Sequence, residues 1–382
     1  MENCVWRGFG GGSVAESEEK LRRGKGRGRL FFALDRILWP QLWSLETSNR
    51  LNFVAAYLVL LAGTGSDHQL TKWSAKAIEE HVGIGKPRGQ RAIEELIDHG
   101  IISRTDSSTR VAPQYRLPAL DRGADPIFLP VQLVTGLGAE TPILRRIRET
   151  GDALILRMLI DLYGLVQLDA TYGLPIASLR ENPASHHPAR KLFEAGANAV
   201  WAMEIGEQKA ADGEWVRPHR IDDPGKPWSL FWERVDTLTK IGALLFEPWI
   251  FDGEPLDAEP LFPVDPSIHY AVRHTDKVTA LTRLAYDAAA ELAGDRTYFL
   301  DRADGDILVP LPLHHRQPEI RGVAKLRIEA DTPGRRRAYA RKMGLIESYA
   351  DAFARLRADA AEGRFDRPLR PISPDASLTA SG

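Results

Sequence analysis

One cysteine in 382 residues, Cys4, excludes an intramolecular disulfide framework and fits a reducing compartment. A dominant charge is also missing. The chain carries 50 Lys and Arg against 52 Asp and Glu, a formal net charge of −2, so nothing global marks nucleic acid or membrane as a partner. Long apolar runs are absent. The longest, Phe53 to Ala62, falls short of the ~18 residues that a membrane helix needs, and the first residues lack the apolar core of a signal peptide. The expectation is a cytoplasmic protein with no membrane partner. Catalytic patterns are equally thin. No phosphate-cradling Gly-x-x-x-x-Gly-Lys-Ser/Thr occurs, and Gly8 to Gly12 lacks the lysine. His186-His187 and His314-His315 are adjacent pairs, and neighbours on a strand point to opposite faces, so neither clamps a metal naturally. Asp301, Asp304 and Asp306 lack the glycine and closing glutamate placement of a calcium loop. Neither an enzyme nor a cofactor is expected.

What is present is an uneven distribution of charge. Lys20 to Ile37 holds seven bases (Lys20, Arg22, Arg23, Lys25, Arg27, Arg29, Arg36) against Asp35. Arg316 to Lys342 holds nine bases against Glu319, Glu329 and Asp331, while Glu204 to Asp265 holds fourteen acids against six bases. Basic flanks around an acidic middle allow a neutral chain to present a basic face. Solvated surface runs produce the same pattern, so charge alone does not decide.

Residues 1–29 are rich in Gly, Ser, Glu, Lys and Arg and are expected to be a disordered basic tail. Arg27-Gly28-Arg29 resembles the core of an AT-hook, with Leu30 in place of its proline. Asn49 is positioned to cap a helix through Ala62, whose Phe53, Tyr57, Leu60 and Leu61 share one face. Gly63 and Gly65 end it. Thr71 to Trp73 reads as a short strand, and Ser74 as the cap of a second helix through Val82. In Gly83-Ile84-Gly85-Lys86-Pro87-Arg88-Gly89-Gln90-Arg91-Ala92-Ile93, glycine supplies a turn and Pro87 starts a third helix. Ile93, Leu96 and Ile97 face inward, and Gly100 stops that helix. Two strands come next, around a polar tip from Thr105 to Thr109. In the spacing Ile93-x-x-Leu96-x-x-x-Gly100-Ile101-Ile102 the stretch resembles the winged helix-turn-helix superfamily. Gly89 departs from it, standing where a small apolar core residue is usual.

The resemblance implies binding of double-stranded DNA. A major groove ~12 Å wide accepts one α-helix, and the first turns of the second helix of the pair face the base edges. Those turns hold Lys86, Arg88, Gln90 and Arg91; Arg and Gln make bidentate pairs with guanine and adenine. Lys72, Lys76, Arg104 and Arg110 are placed to touch phosphates. The acids Glu94, Glu95 and Asp98 come later. A protein-interaction module is the competing reading of the same fold.

A second copy lies downstream. Gly89, Ile93, Leu96, Gly100, Ile101 and Ile102 reappear in register as Phe231, Val235, Leu238, Gly242, Ala243 and Leu244, each shifted by 142 residues, with Pro227 matching Pro87 as a helix start. Asp152 caps an earlier helix through Tyr163, and Pro183 to Asp223 reads as an insertion. Trp228-Ser229-Leu230-Phe231-Trp232 opens the copied helix, suiting a packed core or a protein partner, including a homodimer, better than phosphate. Farther on, Thr297 to Leu300 and Ile307 to Leu311 are expected as a hairpin across Asp304-Gly305. A long amphipathic helix from Thr332-Pro333 carries Arg335, Arg336 and Arg337 in its first turns. That charge opposes the helix dipole unless an anion is near, which nominates them as further DNA contacts, with an ordinary solvated face as the alternative.

The expected fold is mainly α with small β-hairpins, of the α+β class. Its parts are the tail 1–29, a winged helix at 30–120, and a second winged-helix-like domain at 121–265 with insertion 183–223. A C-terminal hairpin plus long basic helix at 266–372 and a disordered tail 373–382 complete it. The tandem arrangement is similar to plasmid and phage replication initiator proteins. Rolling-circle nucleases, by contrast, need two histidines separated by one residue and a tyrosine nucleophile, which are missing. A sequence-specific transcriptional regulator and a non-DNA-binding adaptor remain alternatives.

Overall fold

The apolar run Phe31–Leu34 forms strand β1, and its partner β5 (Ile127–Pro130) lies beyond residue 120. The two pair antiparallel from Phe31 opposite Pro130 to Leu34 opposite Ile127. The computed structural model describes residues 30–65, 67–121, 125–166, 173–174, 180–181, 189–203, 210–211, 227–253, 258–264, 276–296, 298–301, 307–365 and 370–371. Both tails (1–29 and 373–382), the Arg27-Gly28-Arg29 motif, His186-His187 and the 302–306 turn lie outside them. The described fold mixes helices with small sheets and is α+β.

Helix α1 (Leu38–Ser44) follows, and then α2 (Arg50–Ala62). Asn49 caps α2 as expected: its Oδ1 accepts from the Asn52 N–H at 2.9 Å. The one-sided apolar face predicted for α2 is corrected. Leu51 and every residue from Phe53 to Ala62 are buried, because the chain on both sides of residue 120 packs around it. Trp39, Leu42 and Trp43 of α1, and buried residues of β5 and of later helices, share one core with it. A helix apolar all round belongs at the centre of a domain.

Next come β2 (Leu70–Thr71), α3 (Ala75–Val82), α4 (Lys86–Asp98), β3 (Ser103–Arg104) and β4 (Tyr115–Arg116). The three short strands form one antiparallel sheet in the order β2-β4-β3. After α5 (Gln132–Thr135) come α6 (Ile143–Thr150) and α7 (Ala153–Leu165). Two arginines of α6 join separate parts of the chain through the ends of other helices. Arg148 Nε donates to Val82 O at 3.2 Å, and Arg146 Nη1 donates to Ile241 O at 2.9 Å. Cations satisfy terminal helix carbonyls and suit the negative end of the helix dipole.

The remaining chain interleaves. Just before the expected insertion, β6 (Arg180–Glu181) pairs with β9 (Ala210–Ala211) inside it, while β7 (Arg190–Ala195) and β8 (Asn198–Met203) form a hairpin. Helix α8 (Pro227–Lys240) leads into β10 (Leu244–Asp252), flanked by β11 (Glu259–Pro263) and β13 (Pro318–Leu326). Pro248 lies inside β10. Its carbonyl faces Val264 N–H at 2.8 Å, just past where β11 pairing stops, so its missing N–H removes no ladder bond.

The predicted 297–311 hairpin is corrected. Within that segment, Tyr298–Asp301 is a short helix, α10, preceded by α9 (Asp276–Ala293). Strand β12 (Ile307–Pro312) pairs instead with β8, from Ile307 opposite Met203 to Pro312 opposite Asn198. Residues Ile307 to Leu311 are buried in succession; a strand covered on both faces needs a sheet, which a local two-strand turn does not supply. The long helix α11 (Pro333–Ala361) starts where predicted, with Thr332 Oγ1 accepting from Arg335 N–H at 3.2 Å. It packs Ile346 and Phe353 against the β12 side of the core. Strand β14 (Arg370–Pro371) adds to β7. No helix among the described residues is long and apolar enough to cross a membrane.

Candidate nucleic-acid interface

The geometry at 74–104 is set by small residues. Ser74 precedes α3 with extended backbone, but its side chain makes no capping bond, so that part of the expected cap is absent. Gly83 ends α3 at φ +71°, and the Arg88 and Gly89 N–H groups both return to Gly85 O at 2.9 and 3.0 Å. Gly89 explains its own departure from the expected core residue. It is buried, and a Cβ there would stand 3.3 Å from Ile78 Cγ2 and 3.6 Å from the Ala75 Cα and Cβ. The glycine lets α4 cross close over α3, offsetting its ~1 kcal/mol helix penalty relative to alanine.

Helix α4 ends as the spacing predicts. Gly100 has φ +68°, with Gly100 N–H bonded to Ile97 O at 2.8 Å and Ile101 N–H to Leu96 O at 2.9 Å. The inner face of α4 buries Gly89, Ala92, Ile93 and Leu96. His99 Nε2 lies 2.8 Å from Glu46 O, and Ser48 bonds to Glu95. These contacts tie the C-terminal half of the helix to the body, while Lys86, Arg88 and Arg91 of the N-terminal half are exposed.

Lys72, Lys76, Lys86, Arg88, Arg91, Arg104 and Arg110 are all exposed, and none forms an ion pair among the described residues. Gln90 is half-buried, its Nε2 donating to Glu94 Oε1 at 3.1 Å. His81 stacks on Trp73 with ring centroids 4.7 Å apart, and burial pushes its imidazole below the ordinary value; at neutral pH it adds no charge.

The 103–116 hairpin is ordered by its own polar residues. Thr105 Oγ1 bonds Gln114 Oε1 at 3.1 Å, Ala112 N–H bonds Thr109 Oγ1 at 2.9 Å, and Gln114 N–H bonds Ser108 Oγ at 3.0 Å. Arg110 and Val111 project from the tip, Val111 being 95% exposed. Buried Tyr115 anchors the hairpin beside α4. Burial pushes its phenol up, Arg104 opposes that shift and Glu94 adds to it.

Three cations escape the sequence pattern. Arg116 is exposed on β4. Arg145 and Arg148 of α6 approach the turn after α3: a Cβ on Gly83 would lie 3.2 Å from Arg145 Nε and 3.1 Å from Arg148 Nη2. The alternation around Tyr115 and Leu117 could have exposed Arg116; nothing local could bring α6 to that turn.

The arginines of α11 are in a different state. Arg335 is paired with Glu329, and burial lowers its guanidinium to about 10. Arg336 binds Asp331 through Nε and Nη2 at 2.7 and 3.0 Å, which holds it above its ordinary value. Arg337 is exposed and unpaired among the described residues. The anion that a cationic helix start calls for is thus supplied mostly by the protein itself. Two lysines of this half are committed as well. Lys325 and Lys342 both reach buried Glu247, which also accepts from Trp249 Nε1 at 2.8 Å. Burial drives both amines below the ordinary lysine value, Lys342 to about 8.

The copied pattern keeps its helix end and changes its surface. Gly242 has φ +70°, with Gly242 N–H bonded to Thr239 O at 2.9 Å and Ala243 N–H to Leu238 O at 2.8 Å. Strand β10 then runs out, β13 returns beside it, and Leu174 N–H bonds Ala324 O on β13 at 2.9 Å. The order of segment 173–174, β13 and β10 matches β2-β4-β3, but β10 and β13 are not consecutive as β3 and β4 are, and β11 occupies the other edge of β10. Arg234 is buried in α8, its Nε 2.7 Å from Asp152 Oδ2; Asp152 Oδ1 caps α7 through Leu154 N–H at 2.8 Å. No group of three or more metal-ligating side chains occurs among the described residues. Comparison with known proteins finds no matching family model, curated relative or solved structure.

Proposed function

We propose that residues 50–117 are a winged helix-turn-helix that binds double-stranded DNA, with α4 as its recognition helix and the 103–116 hairpin as its wing. One observation carries the reading: cations on α3, α4 and the hairpin stand exposed without carboxylate partners, whereas Arg234, Arg335, Arg336, Lys325 and Lys342 are neutralised internally. Unpaired cations around a solvent-facing helix start suit phosphates and guanine edges. Lys86, Arg88 and Arg91 are the base-reading candidates; Lys72, Lys76, Arg104 and Arg110 position the backbone. Arg337 is the remaining candidate on α11, since Arg335 and Arg336 already hold carboxylates.

The repeated helix end and strand order support a second, diverged winged unit built from α7, α8, β10 and β13. At the positions matching Lys86, Arg88, Gln90 and Arg91 it carries Trp228, Leu230, Trp232 and Glu233. Its proposed role is protein contact, with a second copy of the chain as the partner. Two such units in one chain favour an initiator of plasmid or phage type over a transcriptional regulator; dependence of replication on a cognate origin separates the two.

Titration against random duplex DNA at two salt concentrations tests DNA binding. A binder making several phosphate contacts loses affinity steeply as salt rises. Absence of binding at the lower salt concentration would favour the adaptor reading.

A further inference from the structure

A cavity of about 430 Å³ opens where the β1–β5 pair, the end of α7, the end of β13 and the start of α11 meet. None of the DNA-facing cations line it, so a ligand held here would be independent of DNA binding. Phe31 and Phe128 form one wall, edge to face with centroids 5.5 Å apart. Phe128 is 38% exposed. Tyr163 adds a third ring, fixed by its hydroxyl donating to Ile328 O at 2.6 Å.

Two guanidiniums reach this space, and they differ. Arg335 is answered by Glu329, which also lines the cavity. Arg36 pairs with no carboxylate among the described residues. Its Nε donates to Asp125 O at 3.0 Å, and both Nη atoms donate to Gly164 O at 3.1 Å. Gly164 permits that approach, since a Cβ there would lie 3.2 Å from Arg36 Nη1. A guanidinium has five N–H donors; three are taken by carbonyls, and two remain on an exposed side chain that lines the same cavity as Phe31 and Phe128. The Asp125 side chain is exposed at the mouth, which limits the site to one acidic group held on the Arg36 side. Pockets of this size, with an apolar wall and few polar groups, take small molecules.

We propose that this cavity binds a small aromatic acid, its ring against Phe31 and Phe128 and its carboxylate on Arg36. The test titrates the full chain with three probes by calorimetry: 1-naphthoate, neutral naphthalene-1-methanol, and acetate. One equivalent of naphthoate should bind about tenfold more tightly than the alcohol, the gain of a charge-assisted contact, and acetate should not register at those concentrations. Arg36→Met should remove the tenfold advantage. Phe128→Ala, at a partly exposed position that folding tolerates, should weaken both aromatic probes and leave the melting temperature near that of the parent. If Arg36 only caps α7, naphthoate and the alcohol bind alike, and the proposal fails. It fails equally if naphthoate does not bind, or if Phe128→Ala changes nothing. If Arg36→Met unfolds the chain, the naphthoate-to-alcohol ratio in the parent and the Phe128→Ala result still decide.

Discussion

The two copies of the helix–glycine–strand pattern share a helix end and differ in what they do with charge. Around α4 the cations are exposed and unpaired. In α8 the arginine is buried against the residue that caps the preceding helix. Similar local geometry therefore says little about binding; the state of the cations, exposed and unpaired in one copy and buried and paired in the other, is what differs. A pair such as Arg234–Asp152 costs desolvation, and its loss on one side costs more than its presence supplies.

The largest effect that would sharpen this contrast is at Asp152. Asp152→Ala takes one carboxylate from buried Arg234 and removes the α7 cap, so unfolding stability should fall by about 2 kcal/mol, measured by urea denaturation. DNA affinity of the remaining folded protein should stay unchanged. A loss no larger than that of an ordinary surface substitution would mean that this cation is not structural.

Smaller, and aimed at what the copies share, is the pair Gly100→Ala and Gly242→Ala. Both glycines sit at positive φ, where a side chain costs ~1 kcal/mol; Gly100→Ala should lower stability by that amount and Gly242→Ala by slightly more, since its Cβ would stand 3.0 Å from Arg327 Nη1. Markedly unequal losses would mean that the two helix ends are not equivalent. Smallest is Arg110→Ala at the hairpin tip. Affinity for DNA should weaken by about threefold and the log–log salt slope should shrink by about 1, one phosphate fewer, with the melting temperature unmoved.

Local chemistry made much of the first unit legible. Asn49, Gly83 and Gly100 mark helix ends because caps and positive φ depend on a few neighbouring residues. Pro87 in the first turn of α4 obeys the same logic. What stayed hidden is non-local. The all-round burial of α2 depends on β5 and α7, which the helical period of 53–61 does not report. The purpose of Gly89 is visible only once Ile78 and Ala75 lie beneath it. The Asp304-Gly305 turn signal suggested a hairpin, but strand β12 found its partner in β8, far upstream. Glu329 and Asp331 belong by sequence to the basic cluster, yet their pairing with Arg335 and Arg336 required knowing that the chain turns at Thr332.

The central claim is that the outward half of α4 meets DNA, and its most direct test is a fluorescence-anisotropy titration of a labelled duplex with the parent and with an Arg88→Ala, Arg91→Ala double variant across a salt series. The double variant should bind about thirtyfold more weakly at low salt, with a shallower salt dependence and an unaltered melting curve. Superimposable titrations of the two proteins would contradict the claim.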